Sequence, residues 1–156
     1  MAWNDCTAEL ATAVLAVLAA DAVLGTAGTG GIAVRELLPA ITDDDPVLHK
    51  KIVPYIGVAC QLGHPRNEGW SRVCPLTVHL HVANKETPPS TARSFVSSVS
   101  LLATNLVENL SGSVPSGMSN QITHVDSVIS DARVDKNDNT LVRQDSSVTF
   151  DLWYHA

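Results

Sequence analysis

Two segments of the chain alternate apolar and polar residues in the pattern of strands that bury one face. They are residues 75–84 (PLTVHLHVAN) and 146–156 (SSVTFDLWYHA). The apolar positions are Leu76, Val78, Leu80 and Val82 in the first segment and Val148, Phe150, Leu152 and Tyr154 in the second. Because successive side chains of a strand point to opposite faces, His79 and His81 are predicted to lie on the face away from the aliphatic core.

Two other segments have the residue spacing of helices. The first is predicted to begin at a cap on Asn4 or Asp5 and to continue to about Leu24. The second follows the sequence PPS at 88–90 and combines an apolar stripe with a polar, weakly charged face. The stripe is formed by Phe95, Val99, Leu102, Leu106 and Leu110 and is flanked by Val96, Ala103 and Val107. The polar face is formed by Ser97, Ser98, Ser100, Thr104, Asn105 and Glu108. Since a face in bulk water usually carries more charge, we expect a neighbouring subunit to cover part of it.

The remaining segments predict further strands and the loops between them. Residues 51–62 are rich in β-forming residues, and the polar segment 63–72 joins them to the first alternating strand as a hairpin. Residues 122–134 are expected to pair with the C-terminal strand across the polar stretch 135–145. Residues 111–121 have the composition of a flexible linker.

In chain order these elements are a helix, two strands, a helix and two strands. Strands joined as hairpins predict an α+β protein with a mostly antiparallel four-stranded sheet and both helices packed on one face. A chain of 156 residues is long enough for one domain with a sizeable core. We therefore expect residues 1–156 to form a single domain.

Charge and cysteine content exclude several classes of function. The net charge of −6, with only 10 Lys and Arg residues scattered along the chain, disfavours a protein that grips nucleic-acid phosphates. The 3 cysteines have no metal-binding spacing, and Cys60 and Cys74 are expected to behave as small apolar side chains. The apolar stretch 10–20 is too short to span a membrane, and acidic residues instead of basic ones precede it. A soluble protein of a reducing compartment is the expectation.

Two groups of residues deserve comparison with known metal sites. His79 and His81 could bind a metal together with His124 or His155, but an i, i+2 pair on a strand is more typical of an ordinary sheet face. The sequence DKNDNT at 135–140 begins like a calcium loop, yet Thr140 occupies the position of the required glycine. We therefore predict no catalytic residues, no metal site and no cofactor.

The succession of elements resembles that of a known family of virion proteins. An Ala/Leu-rich helix ending in DAVLG is followed by the strands PYIGV and LTVHLHV and by the helix TARSFVSSVSLLATNLVENL. The chain then ends with VDSVISDARVDKNDNTLVRQDSSVTFDLWYHA. Over residues 8–156 this arrangement resembles the tail-completion, or tail-terminator, proteins of long-tailed bacteriophages. The segments 63–72 and 111–121 are specific to this chain.

The resemblance implies a structural role without catalysis. Members of this family form a ring, expected here to be a homohexamer, that caps the finished tail tube and stops its polymerisation. The implied partners are further copies of the chain, the tail tube protein and the head-completion or neck protein. DNA would pass through the ring without specific binding, and no membrane is involved. The implied location is the tail or neck of a virion assembled in the host cytoplasm.

Exposed hairpin tips are the expected contacts with these partners, because tips can insert side chains or add backbone hydrogen bonds. The candidate contact residues are Arg66, Trp70, Asp135, Lys136, Asp138 and Arg143. Three other functions compete with a tail terminator. They are another ring component of the neck or tail tube, a small metal-dependent enzyme that uses the strand histidines, and a cellular α+β binding module.

Overall fold

The computed structural model describes residues 6–26, 32–36, 54–85, 89–134 and 140–155. Three helices lie in these ranges: α1 (Thr7–Ala20), α2 (Ala22–Thr26) and α3 (Pro89–Glu108). The strands are β1 (Ala33–Glu36), β2 (Tyr55–Leu62), β3 (Arg66–Glu68), β4 (Ser71–Lys85), β5 (Ile122–Ile129), β6 (Arg133–Val134) and β7 (Leu141–His155). The predicted helix caps Asn4 and Asp5 lie outside the described residues.

The α+β class and the mostly antiparallel sheet are confirmed, but the number of strands is not. The described residues form seven strands, in the order β1-β2-β4-β7-β5, with β3 added to β4 and β6 added to β7. The strand β1 pairs with β2 in parallel. The two additional antiparallel strands, β3 and β6, are only three and two residues long, so they are too short for an alternation to be recognised in the sequence.

The antiparallel pair of β4 and β7 forms the centre of the sheet. The two strands are 15 residues each and pair along their whole length, from Ser71 opposite His155 to Lys85 opposite Leu141. Their even-numbered residues face the helices, and the buried positions there confirm the predicted aliphatic face. These core residues are Cys74, Leu76, Val78, Leu80 and Val82 in β4 and Val142, Val148, Phe150 and Leu152 in β7.

Both long helices pack on this face of the sheet, as predicted. Leu10, Val14 and Leu18 of α1 belong to the same buried cluster as the β2, β4, β7 and α3 residues. The predicted first helix is nevertheless interrupted, because Asp21 adopts an extended conformation. Its carboxylate accepts hydrogen bonds from the backbone N–H groups of Val23 and Leu24, at 2.9 and 3.0 Å, and so caps the short α2. No helix of the described residues is both long and apolar enough to cross a membrane.

The helix α3 is rotated relative to the predicted stripe. Its fully buried positions carry small side chains, and most of the larger apolar residues flank them at partly buried positions. The buried set is Ala92, Val96, Val99, Ser100, Ala103, Thr104 and Val107, and the flanking set is Phe95, Leu102, Leu106 and Leu110. Small residues at the contact let the helix axis approach the sheet closely. The face that α3 buries is therefore the one with small side chains and not the one with the larger leucines.

Two residues assigned to the polar face of α3 are therefore completely buried. Thr104 and Ser100 each have a relative exposure of 0%. The hydroxyl of Thr104 donates a hydrogen bond to the carbonyl of Ser100 at 2.7 Å and lies 2.9 Å from the Ser146 hydroxyl of β7. These bonds compensate for the loss of water around the Thr104 hydroxyl and fix the helix against the sheet.

The segment 111–121, predicted to be a flexible linker, forms hydrogen-bonded turns. The N–H of Gly112 donates to the carbonyl of Ile122 at 2.8 Å, and the N–H of Ile122 donates to that of Ser113 at 3.1 Å. Met118 is buried, and Gly117 has a φ of +86°. A Cβ on Gly117 would lie 3.0 Å from the Glu9 side chain of α1, so glycine permits the close approach of this segment to the helix.

The rotation of α3 can be tested with a pair of leucine substitutions. Ala103→Leu should lower the free energy of unfolding by about 1–3 kcal/mol, because the buried contact has no room for the larger side chain. Ser98→Leu on the exposed side should change it by less than about 0.5 kcal/mol. Urea unfolding followed by circular dichroism measures both. The observed orientation would be contradicted if Ala103→Leu left the free energy of unfolding unchanged and Ser98→Leu lowered it.

Candidate functional site

Two of the predicted contact residues lie on the hairpin formed by β3 and β4. Trp70 occupies the turn after Gly69, whose φ of +60° suits the left-handed conformation that the turn requires. The Trp70 side chain is 91% exposed. Exposed large aromatic residues are common anchors of protein interfaces, and this one lies at the tip of a projecting hairpin.

Arg66 connects this hairpin to the centre of the sheet. Its guanidinium donates one hydrogen bond to Glu68 at 2.7 Å and one to Asp151 of β7 at 2.8 Å. The hydrogen bonds to Asp151 and Glu68 raise the pKa of the Arg66 guanidinium above its ordinary value. The Arg66 charge is thus offset within the protein, and its side chain fastens β3 to β7.

The other predicted contact residues are placed differently. Arg143 lies within β7, opposite Ala83 of β4, and is only 6% exposed. Asp135, Lys136 and Asp138 lie outside the described residues. The structure therefore brings Arg66 and Trp70 together on one hairpin and places Arg143 elsewhere in the sheet.

The face of the sheet opposite the helices is polar, and it carries the two strand histidines as predicted. We call it the polar face, formed by the odd-numbered residues 75–81 of β4 and 145–151 of β7 together with Gln61 of β2. His81 and His79 are partly buried on it. Their ring nitrogens contact different neighbours: His81 Nδ1 lies 2.7 Å from Asp145 Oδ1, and His79 Nε2 lies 3.1 Å from Gln61 Oε1.

Asp145 is the centre of the charge network on the polar face. Its second carboxylate oxygen accepts a hydrogen bond from Arg133 at 2.7 Å. Burial raises the pKa of Asp145, but the hydrogen bond from His81 and the charges of His81, Arg133 and Arg143 outweigh it, so the pKa lies below its ordinary value. Burial lowers the pKa of His79, and the nearby His81 lowers it further. Within the described residues, no group of three or more His, Cys, Asp or Glu side chains could hold a metal ion.

A histidine contact that the sequence did not reveal lies at the edge strand β5. His124 Nε2 is 2.8 Å from the hydroxyl of Ser127 and 3.9 Å from a carboxylate oxygen of Glu108. Residues three apart lie on opposite faces of a regular strand, but the bulge between His124 and Asp126 brings both to one side. The carboxylate approaches the same nitrogen as the serine, whereas an acid that orients a catalytic histidine binds the other nitrogen. The geometry is therefore that of a local hydrogen-bond network.

A cysteine thiol and an open cleft elsewhere in the described residues are also poorly suited to catalysis. Burial and the negative charge of Glu36 raise the pKa of the Cys60 thiol to about 12, so the thiol stays protonated and is a poor nucleophile. An open cleft of about 310 Å³ lies near the end of β7. It is lined by Ser119, Asn120, Gln121, Thr123 and Trp153. Hydroxyl, amide and indole groups provide no acid or base for general catalysis near neutral pH.

Comparison of the fold with solved structures identifies a similar chain in a virus-like particle. A chain from a structure described as the virion of a native gene transfer agent (GTA) particle matches with a TM-score of 0.53 at 18% sequence identity. The match covers 98% of this chain and 100% of the other. At this identity the likeness demonstrates a shared fold. No protein-family model matches the sequence, and no curated protein is significantly similar to it.

The network around Asp145 predicts a pH-dependent contribution to stability. Asp145→Ala should lower the free energy of unfolding by about 1–2 kcal/mol at neutral pH. This value is at the low end for hydrogen bonds between charged groups, because Arg133 is half exposed and water weakens its attraction to Asp145. The folded-state pKa lies below the ordinary 3.8, so this stabilisation is complete above that value and is lost as the pH falls through the folded-state pKa. Urea unfolding of both proteins should show a difference that narrows in acid.

Asp131, which is exposed, provides the matched control for this measurement. Asp131→Ala should change the free energy of unfolding by less than about 0.5 kcal/mol. If the free energy of unfolding of Asp145→Ala were lower than that of the unmodified protein by the same amount from neutral to strongly acidic solution, the role assigned to the carboxylate would be contradicted.

Proposed function

We propose that the protein is a structural component of a phage-like virion and acts there as the tail terminator. In this function, copies of the chain form a hexameric ring that caps the tail tube and ends its polymerisation. The ring then joins the tail to the head-completion or neck protein. Its action is mechanical, without a catalysed reaction, and it takes place in the virion after assembly in the host cytoplasm.

The observation that carries the proposal is the full-length likeness to a chain of the gene transfer agent virion. The order of helices and strands, from which the resemblance to tail-completion proteins was drawn, independently favours the same class of particle. A structural role also agrees with the contacts of His79, His81 and His124, whose ring nitrogens lie at hydrogen-bond distance from other side chains of the sheet.

The β5–β6 side of the sheet has the composition of a subunit contact. We call it the apolar edge, and its four exposed residues have relative exposures between 42% and 58%. They are Val125, Val128, Ile129 and Val134. Branched apolar side chains on an edge strand favour association, and burial against a second subunit would remove them from water.

The backbone of the apolar edge is partly occupied by the chain itself. The N–H of Ser127 donates to the carboxylate of Asp126 at 2.9 Å, and Ile122 exchanges hydrogen bonds with residues 112 and 113. These bonds hinder a simple extension of the sheet by another strand. The proposed contact between subunits therefore depends on side-chain packing on both sides of the edge, with Val128 on the side of the polar face and Ile129 on the side of the helices.

The charge distribution suits a ring through which DNA passes. The net charge is −6, and the cations Arg66 and Arg133 on the margins of the polar face are bound to Asp151 and Asp145. An acidic chain repels DNA phosphates, and guanidinium groups that are bound to carboxylates are less available to them. This property supports passage of the DNA without specific binding.

The capping role predicts where the protein binds on tail tubes of the same virion. Purified protein should bind at one end of each tube and stop its growth, which electron microscopy with tube-length measurement can record. Binding along the tube walls, or incorporation into growing tubes, would instead favour the alternative of a tube component. The mass of the free or tube-bound protein should correspond to six chains of 16.6 kDa each.

The apolar edge predicts an effect of a charged substitution on assembly. Val128→Asp should abolish the hexamer, because association would bury an unpaired carboxylate. Val114→Asp is the matched control, since Val114 is 54% exposed and lies in the segment 111–121 instead of the edge. Light scattering after size-exclusion chromatography measures both, and unchanged melting temperatures would show that the protomers remain folded. A hexameric Val128→Asp variant would refute this interface.

A further inference from the structure

We propose that the β3–β4 hairpin docks the ring onto its axial neighbour, with the Trp70 indole inserted into an uncharged apolar pocket of that protein. The inference rests on the proposed function and adds the chemistry of the contact. It names one anchor, Trp70, and one positioning residue, Arg66.

The exposure of Trp70 provides the first argument. An indole is among the largest apolar groups in proteins, and this one is 91% exposed at the end of a hairpin. Its neighbours along the chain are Glu68, Gly69, Ser71 and Arg72, so the anchor is isolated among polar residues and glycine. A single aromatic group with polar surroundings matches a pocket with an apolar floor and a polar rim, the usual arrangement around an interface hot spot.

The rigidity of the hairpin provides the second argument. Three residue pairs connect β3 to β4, from Arg66 opposite Val73 to Glu68 opposite Ser71. Arg66 adds a bridge to Asp151, whose side chain is only 11% exposed, and this bridge ties the hairpin to the central strand β7. The tip is therefore held in position before a partner binds, which reduces the entropy lost on docking.

The charges at the hairpin indicate the nature of the pocket. Arg66 is bound by two carboxylates, Glu68 and Asp151, at 2.7 and 2.8 Å. A site for phosphate or an anionic surface would leave such a guanidinium available, because charge-assisted contacts with the ligand provide the affinity. Arg72 is the other cation near the hairpin tip, and the charges of Arg66 and Arg72 are equal in number to those of Glu68 and Asp151. This balance favours a neutral protein pocket over nucleic acid or an anionic lipid surface.

The test compares the affinity of hairpin variants for tail tubes of the same virion and for its purified neck protein. Trp70→Ala should weaken binding to one of these partners by about thirtyfold or more, the effect of losing an interface hot spot. Trp70→Phe should retain most of the affinity. Leu101→Ala is the matched control, because Leu101 is 54% exposed but lies on α3. Thermal melts should show that Trp70→Ala is folded.

The outcomes separate this contact from the proposed function. If the unmodified protein caps the tubes, and Trp70→Ala binds tubes and neck protein with the same affinity as the unmodified protein, the Trp70 contact is refuted. The proposed capping function would be unaffected by that result. If the unmodified protein binds neither partner, both are refuted. Binding to phosphatidylcholine vesicles that depends on Trp70 would also overturn the protein pocket, since it would identify the indole as a lipid anchor.

The role of Arg66 can be distinguished from general stabilisation by a double-mutant cycle. Arg66→Gln should weaken binding by about fivefold when Trp70 is present and should have no further effect in the Trp70→Ala background, because coupled residues are not additive. Equal losses in both backgrounds would show that Arg66 does not act by positioning the indole.

Discussion

The structure depends on the full-length pairing of β4 and β7. Two strands of 15 residues present their even-numbered side chains on one face, and α1 and α3 cover that face. Each buried Leu or Val side chain contributes about 1.5–3 kcal/mol relative to exposure, so neither the sheet nor the helices would be stable apart. Both strands also extend beyond their other partners, and the extended portions provide the backbone that β3 and β6 join.

The same pairing separates the apolar from the polar residues. Side chains that point away from the helices form the polar face, where Asp145 and Asp151 bind cations on adjacent short strands. These ion pairs hold β3 and β6 against the sheet. Asp145 and Asp151 therefore have an architectural role on this face, in keeping with a proposed structural function.

The two proposed contact surfaces lie on different parts of this framework. The apolar edge lies on the β5–β6 side of the sheet, whereas Trp70 lies at the turn that precedes β4. A ring subunit needs at least two kinds of contact, one with its neighbours in the ring and one with the proteins stacked above or below it. In the proposed assembly, branched aliphatic residues at the edge serve the first kind of contact and one aromatic residue at the hairpin tip serves the second.

The sequence by itself determined the α+β class, the buried faces of the two long strands and the polar placement of His79 and His81, because a two-residue period leaves little freedom. It also placed Trp70 and Arg66 on the hairpin that precedes the first alternating strand, yet no sequence feature indicated that Asp151, 85 positions away, would bind Arg66. Only the tertiary structure decided the rotation of α3, since it depends on the close packing of small side chains and on the Ser146 hydroxyl of β7 as a partner for the buried Thr104. The same holds for the bulge that brings His124 to the side of Ser127, and for the short strands β3 and β6. All three features arise from pairing with distant residues, which local sequence patterns do not encode.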